Sequence, residues 1–273
     1  MSPIAEVRSL PAPGGQPSLA HDVAGSGRPL LLLHSSAGDR RMWDPQWSGL
    51  LDSGYRVVRC DFRGYGQSPV PTGPGQDAQD VVDLLDTLGV GRTDVVGASY
   101  GGRVALELAA GWPTRVDALV LLCAGSPFHP STEELDAFDD RETALIESGA
   151  IESAVELNVR TWLGPEADAG ARDLVRRMQR RSYDLQLAAP EQFDPLPTQS
   201  ELSHVRARTL VVTGRHDLTT FRRIGADLAA RLPGARRVDL PWAGHLPSLE
   251  RSDEILSLLV DFLEGLWCRR RPC

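Results

Sequence analysis

A serine set between glycines, in Gly97-Ala98-Ser99-Tyr100-Gly101, stands where the apolar β-branched pair Val95-Val96 gives way to the helix-forming series Val104-Ala105-Leu106. That order reads as strand, sharp turn and helix, with Ser99 at the apex. A backbone turning so tightly leaves no room for side chains two residues to either side, hence the glycines. The serine hydroxyl is then lifted clear of its own backbone, open to a base on one side and a substrate on the other. A hydroxyl is a weak nucleophile until a neighbouring imidazole takes its proton, and the imidazole needs a carboxylate to hold its tautomer. The bare Gly-x-Ser-x-Gly pattern is expected about 0.2 times by chance in a chain of this composition, so its context, strand before and helix after, has to carry it.

Partners for Ser99 belong in loops that follow strands, because the ligand side of a parallel sheet lies at the strands' carboxyl ends. Six histidines are candidates. His21 lies in or beside the first strand and is expected at the surface. His34 closes a strand and suits holding the loop after it. His129 and His204 fall in a helical stretch and at its exit, and His216 directly precedes a carboxylate. His245, in Trp242-Ala243-Gly244-His245-Leu246-Pro247, comes right after the last strand and before the last helix, the favoured place for a base. For the acid, Asp217 follows a strand after the short turn Gly214-Arg215-His216. The other loop that could supply one offers Ala124, Gly125 and Ser126, with no acid before Glu133.

These positions rest on an alternation of strands and helices. Leu19–Val23, Pro29–His34, Tyr55–Cys60, Asp94–Ala98, Val116–Leu122, Arg208–Thr213 and Arg236–Leu240 read as strands, several of them continuous apolar runs of the kind buried on both faces. Helical patterns cover Met42–Leu51, Ala78–Leu88, Tyr100–Ala110, Phe221–Leu232 and Ser248–Leu266; Val81, Leu84, Leu85 and Leu88 show the spacing of one helix face. The alternation predicts an α/β protein with a mainly parallel, doubly wound sheet. It breaks at Gly125. From Pro127 to His204 the chain offers only helical patterns, Glu133–Glu147, Ile151–Trp162 and Ala171–Ala188. This predicts a core of residues 1–126 and 205–273 with a helical cap of residues 127–204 inserted in it.

Composition bounds the rest. The chain has 273 residues, 41% hydrophobic and 24% charged, with a net charge of −8. This is the make-up of a globular protein and a poor one for binding nucleic acid, which calls for a basic surface. The first ten residues, with Glu6 and Arg8, lack the apolar centre of a signal peptide, and no run reaches the ~18 apolar residues of a membrane span. A cytoplasmic location and no membrane partner are expected. Residues 1–17 read as a mobile lead-in, and Arg269–Arg271 as a solvated tail. Cys60 and Cys123 read as small buried hydrophobes, while Cys268 and Cys273 are expected as free thiols in a reducing compartment. No Cys/His spacing suggests a metal site.

With the His34 loop, the Asp61-Phe62-Arg63-Gly64-Tyr65-Gly66-Gln67-Ser68 loop, the Gly97–Gly101 turn and the Asp217/His245 pair in order, the chain resembles the α/β-hydrolase superfamily from about residue 19 to 266. The resemblance implies Ser99 as nucleophile, His245 as general base and acid, Asp217 as orienting carboxylate, and no cofactor. It implies an oxyanion hole made by the backbone N–H of Tyr100 and a second from the loop after His34. Where family members often read His-Gly, this chain has His34-Ser35-Ser36, and the second donor is carried to Ser36. Most apolar cap residues should pack the cap on the body, with Trp162 and Phe128 assigned to the substrate pocket. The cluster Glu133, Glu134, Asp136, Asp139 and Asp140 is expected as a solvated face. The implied activity is hydrolysis of a small, fairly apolar carboxylic ester or lactone through an acyl-enzyme. The same triad also serves carbon–carbon bond hydrolysis, cyanohydrin cleavage, perhydrolase or cofactor-free oxygen chemistry, and a non-catalytic receptor on this scaffold is the further alternative. Epoxide hydrolases and haloalkane dehalogenases of this superfamily use an aspartate nucleophile, so Ser99 argues against both. A homodimer through the outer helices is left open.

Overall fold

The fold is known from a computed structural model that describes residues 19–191, 193, 195–196 and 201–265. The lead-in, the terminal arginines, Cys268 and Cys273 lie outside these residues. Among the described residues seven strands form one sheet: β1 (His21–Ala24), β2 (Arg28–Leu33), β3 (Tyr55–Cys60), β4 (Thr93–Ala98), β5 (Val116–Leu122), β6 (Arg208–Gly214) and β7 (Arg236–Leu240), in the order β1-β3-β2-β4-β5-β6-β7. Only β1 runs antiparallel to its neighbour; every other pairing is parallel. The register sets Leu33 beside Gly97, Ala98 beside Leu122, and Leu122 beside Val212. The loops leaving β2, β4, β5 and β6 therefore open side by side on one edge. The central strands carry apolar residues on both faces, and Leu30–Leu33 and Leu119–Leu122 within them are wholly buried.

Helices α1 (Asp44–Asp52), α2 (Asp77–Thr87), α3 (Tyr100–Gly111), α7 (Thr219–Arg231), α8 (Pro247–Glu250) and α9 (Ser252–Leu263) flank the sheet, α1 packing on α9 and α2 on α3. The closing helix expected as one piece over Ser248–Leu266 is broken at Arg251, whose extended backbone (φ −138°, ψ 76°) separates α8 from α9. The break turns Glu250 inward, where both carboxylate oxygens accept from Gly244 N–H at 3.0 Å. His21 is also corrected. It is buried, with Nδ1 bonded to the Leu19 carbonyl at 2.8 Å. An exposed position was expected because an edge strand alone does not tell which face is covered.

Between β5 and β6 the chain forms α4 (Glu133–Glu147), α5 (Ile151–Trp162) and α6 (Ala169–Leu187). Asp168 caps α6 through Ala171 N–H at 2.7 Å and so starts it before Ala171. The three helices share a small apolar cluster of Ala154, Val155 and Tyr183 with Leu145, Ile146 and Ile151. Among the described residues no helix is long and apolar enough to cross a membrane.

Candidate active site

Ser99 sits between β4 and α3 at φ 53° and ψ −115°, a left-handed conformation that costs a side-chain-bearing residue about 1–3 kcal/mol. The surroundings enforce it. Ser99 N–H donates to the Leu122 carbonyl at 2.9 Å, and its own carbonyl accepts from Gly125 N–H at 2.9 Å and Arg103 N–H at 3.1 Å. The flanking glycines are sterically required: a Cβ on Gly97 would strike the Gly101 carbonyl, and one on Gly101 the carbonyls of Leu33 and His34.

The structure brings Ser99, His245 and Asp217 together. His245 Nε2 lies 2.7 Å from Ser99 Oγ, and its Nδ1 lies 2.8 Å from Asp217 Oδ2. Asp217, following β6, is fully buried at its side chain, and its other oxygen accepts from Leu218 N–H at 2.7 Å. A carboxylate held on both oxygens fixes the Nδ1–H tautomer and leaves Nε2 able to accept the serine proton. His245 is held by its backbone as well, since its N–H donates to the Trp162 carbonyl at 2.9 Å. Its ring is flanked by Trp162 and Phe221, at centroid distances of 4.7 and 4.1 Å. Neither contact was legible beforehand for Phe221, which begins a helix pattern and carries no motif.

Tyr100 N–H opens α3, where a helix leaves its first amides without intrahelical partners. Ser36 is exposed and lines the same cavity as Ser99 and Tyr100. Its loop is shaped without the family's glycine. Ser35 Oγ accepts from Ala37 N–H at 3.2 Å, and the Ser35 carbonyl bonds His34 Nδ1 at 2.8 Å and Gly38 N–H at 3.0 Å. His34 Nε2 in turn accepts from Phe62 N–H at 3.0 Å, so a neutral His34 ties the loop after β2 to the loop after β3. Burial is the main cause holding the His34 pKa below its ordinary value, consistent with that neutral role.

A cavity of about 390 Å³ opens on Ser99. Trp162, Phe138, Leu135, Phe221 and Ile224 form its apolar wall; Asn158, Glu142, Gln179 and Tyr183 give it a polar one. Trp162 thus stands where expected, in the lining. Phe128 does not: it packs partly buried against the core, while its neighbours His129 and Pro130 reach the cavity. A loop residue next to the pocket can point either way, and sequence spacing does not choose. The acidic cluster of α4 is exposed, with Asp139 at the cavity. His129 Nε2 pairs with Asp227 at 2.9 Å, away from Ser99.

Cys123 adjoins the site at φ 46°, its thiol 3.6 Å from the Gly244 carbonyl. Cys123, Asp217 and His245 are, among the described residues, the one group of His, Cys, Asp and Glu close enough to share a metal, their ligand atoms within 4.8 Å. They do not fit one. Both imidazole nitrogens and the Asp217 oxygen are engaged, and burial, then Asp217, pushes the Cys123 thiol well above its usual range, so it stays protonated.

Comparison with known proteins gives the family. Residues 30–258 match the alpha/beta hydrolase family. A protein named for carbamate hydrolysis, RutD of Variovorax paradoxus (strain S110), is 30% identical over 260 residues, covering 90% of this chain and 96% of its own. The 2-hydroxy-6-oxononadienedioate/2-hydroxy-6-oxononatrienedioate hydrolase of Burkholderia vietnamiensis (strain G4 / LMG 22486) is 29% identical, with 89% of each chain covered. Among solved structures, the enol-lactonase from Burkholderia xenovorans LB400 superposes with a TM-score of 0.77 at 26% identity, over 94% of this chain and 100% of that one.

Proposed function

This chain belongs to the α/β-hydrolase family, and from that premise we propose that it is a serine hydrolase cleaving a small carboxylic ester or lactone through an acyl-enzyme. The observation that carries the reading is the unbroken relay from Ser99 Oγ to His245 Nε2 at 2.7 Å and from His245 Nδ1 to Asp217 at 2.8 Å. Ser99 Oγ attacks the carbonyl carbon while its proton passes to His245 Nε2, and Asp217 stabilises the imidazolium that results. The tetrahedral oxyanion is met by the N–H groups of Tyr100 and Ser36; each such donor is worth about 3–4 kcal/mol of transition-state stabilisation. Collapse expels the alcohol, which takes the proton from His245. A water then repeats the sequence on the acyl-Ser99 ester and releases the acid. Residues 127–204 act as a cap on the core of residues 1–126 and 205–273, and Trp162 joins the two by touching both the cavity and the His245 ring.

The names of the relatives fit acyl transfer at a carbonyl. The enol-lactonase opens a lactone by name, and of the two hydrolases the first is named for a carbamate and the second for a 2-hydroxy-6-oxo dienedioate or trienedioate, all carbonyl substrates. A dianionic substrate, as the second of these names implies, is poorly matched here, since Arg103 at the cavity is already bonded to Glu107 at 3.0 Å while Asp139 and Glu142 face the same space.

The test is turnover of a panel of p-nitrophenyl esters and lactones, with labelling by a fluorophosphonate. Wild-type protein should hydrolyse members of the panel and be labelled, and Ser99→Ala should lose both. Undiminished turnover or labelling in Ser99→Ala would overturn the reading.

A further inference from the structure

The polar wall of the cavity has spent its donors and kept an acceptor. Trp162 Nε1–H donates to Asn158 Oδ1 at 2.7 Å, one turn back along α5. The Asn158 amide nitrogen has three acceptors for its two hydrogens, Glu142 Oε1, Tyr183 Oη at 2.9 Å and the Ala154 carbonyl at 3.0 Å. Tyr183 O–H donates to Glu142 Oε1 at 2.6 Å. Gln179, on α6 and only 5% exposed, bonds Tyr183 with its side chain. The Tyr183 proton is already committed to Glu142, so the bond from Gln179 runs from its amide nitrogen to the tyrosine oxygen. Its Oε1 is left buried in the cavity wall with no hydrogen-bond partner among the described residues.

A buried carbonyl without a partner is a vacancy for a donor, because burial has removed the water that would satisfy it. Carboxylates outnumber cations around it, since Arg103, the cavity's arginine, is already paired with Glu107. Glu142 and Asp139 line the same cavity, and the Asp139 pKa is raised first by burial and then by the repulsion of Glu142, Asp136 and Asp140. Positive charge placed there would relieve that repulsion.

Building on the hydrolase reading above, we propose that the Asn158–Gln179 wall selects substrates whose chain carries a hydrogen-bond donor away from the scissile carbonyl, an ammonium or a neutral O–H or N–H, and disfavours a carboxylate there. Gln179 Oε1 receives the donor, the Glu142 and Asp139 carboxylates favour its positive charge, and Trp162 and Phe138 cover the apolar chain between it and Ser99. A site built to hydrogen-bond one group rejects an analogue lacking it far better than an apolar pocket rejects an extra methylene.

The experiment measures kcat/KM on p-nitrophenyl esters of matched length ending in methyl, hydroxyl, ammonium or carboxylate, in short, medium and long series. In at least one length, the hydroxyl and ammonium ends should exceed methyl by about 10-fold or more, with carboxylate lowest. Gln179→Leu should collapse the donor-to-methyl ratio to below about 3-fold. Glu142→Gln should narrow the gap between ammonium and carboxylate, and it decides the charge part should Gln179→Leu fail to fold. A methyl end equal to or better than both donors at every length overturns the proposal. Should no ester be turned over, which overturns the hydrolase reading instead, calorimetric titration of methyl ketones bearing the same ends ranks them without chemistry: donor ends binding more tightly support the wall's selectivity, and equal binding overturns it.

Discussion

The sheet edge that carries Ser99, Asp217 and His245 and the helical segment above it are held by different forces. Under the edge, all of β4, Leu30–Leu33 of β2 and Ala118–Leu122 of β5 are buried, and the glycines of the Ser99 turn touch neighbouring carbonyls so closely that no side chain fits. In the inserted segment α4 buries no residue along its length. Its apolar residues Leu135, Phe138, Leu145 and Ile146 pack only partly buried, and polar contacts share the work: Glu134 accepts from Thr219 N–H at 2.7 Å, Thr132 bonds Thr220, and Glu142 accepts from Tyr183. Close-packed backbone tolerates almost no change, whereas each polar contact contributes only about 0.5–1.5 kcal/mol and can be exchanged singly. The division teaches that reaction geometry is stored in the rigid edge and that recognition is stored in a segment able to vary without disturbing it.

The largest effect expected from breaking that division is at Asp217. Asp217→Asn should lower kcat by roughly 10³–10⁴-fold, because the amide no longer holds His245 in the tautomer that accepts the serine proton; steady-state kinetics on the best ester of the panel reads it. Next comes Gly101→Ala, whose Cβ meets two backbone carbonyls that cannot withdraw. It should lose about 3 kcal/mol or more in urea unfolding, the cost of an overpacked site. Tyr183→Phe removes one hydroxyl from the network of the inserted segment and should cost about 1 kcal/mol in the same measurement. A loss there as large as that at Gly101 would erase the contrast between the two regions.

A smaller effect is set by pH. The His34 pKa lies below its ordinary 6.5 in the folded chain, so the unfolded chain takes up a proton first as pH falls. Stability from this group is fully present above about 6.5 and declines below it, down to the lowered folded value. His34→Gln should flatten the slope of stability against pH in that window, read by thermal unfolding at a series of pH values. The smallest effect is at the surface. Arg180, on the exposed face of α6, bonds Asp184 at 2.9 Å and pairs with Glu152, and Arg180→Ala should leave the unfolding midpoint unmoved within error.

Most of the frame was legible in the chain. Tyr55–Cys60, Val116–Leu122, Arg236–Leu240, Glu133–Glu147 and Ile151–Trp162 were read at the bounds the structure has, since β-branched runs and helical stripes bounded by Gly and Pro are local signals. The parallel sheet followed from their alternation. The split of the last helix at Arg251 was hidden because the helical stripe continues across it, while Glu250 turns in to accept from Gly244 N–H. The buried side of His21 was hidden because the face an edge strand covers depends on what the fold lays over it.

For the site, local sequence determined the turn at Ser99, and strand order then determined that Asp217 and His245 would open on the same edge, since parallel strands deliver their following loops to one side. Tertiary structure alone decided that Trp162 and Phe221 enclose the His245 ring, that Phe128 turns to the core, and that Asn158, Glu142, Tyr183 and Gln179 meet on one wall with a carbonyl oxygen unspent. The physical reason is rotational. Each helix of the inserted segment carries its own stripe, but which residue of that stripe faces the cavity is set by how the helices are turned against one another, and that depends on contacts between residues far apart in the chain.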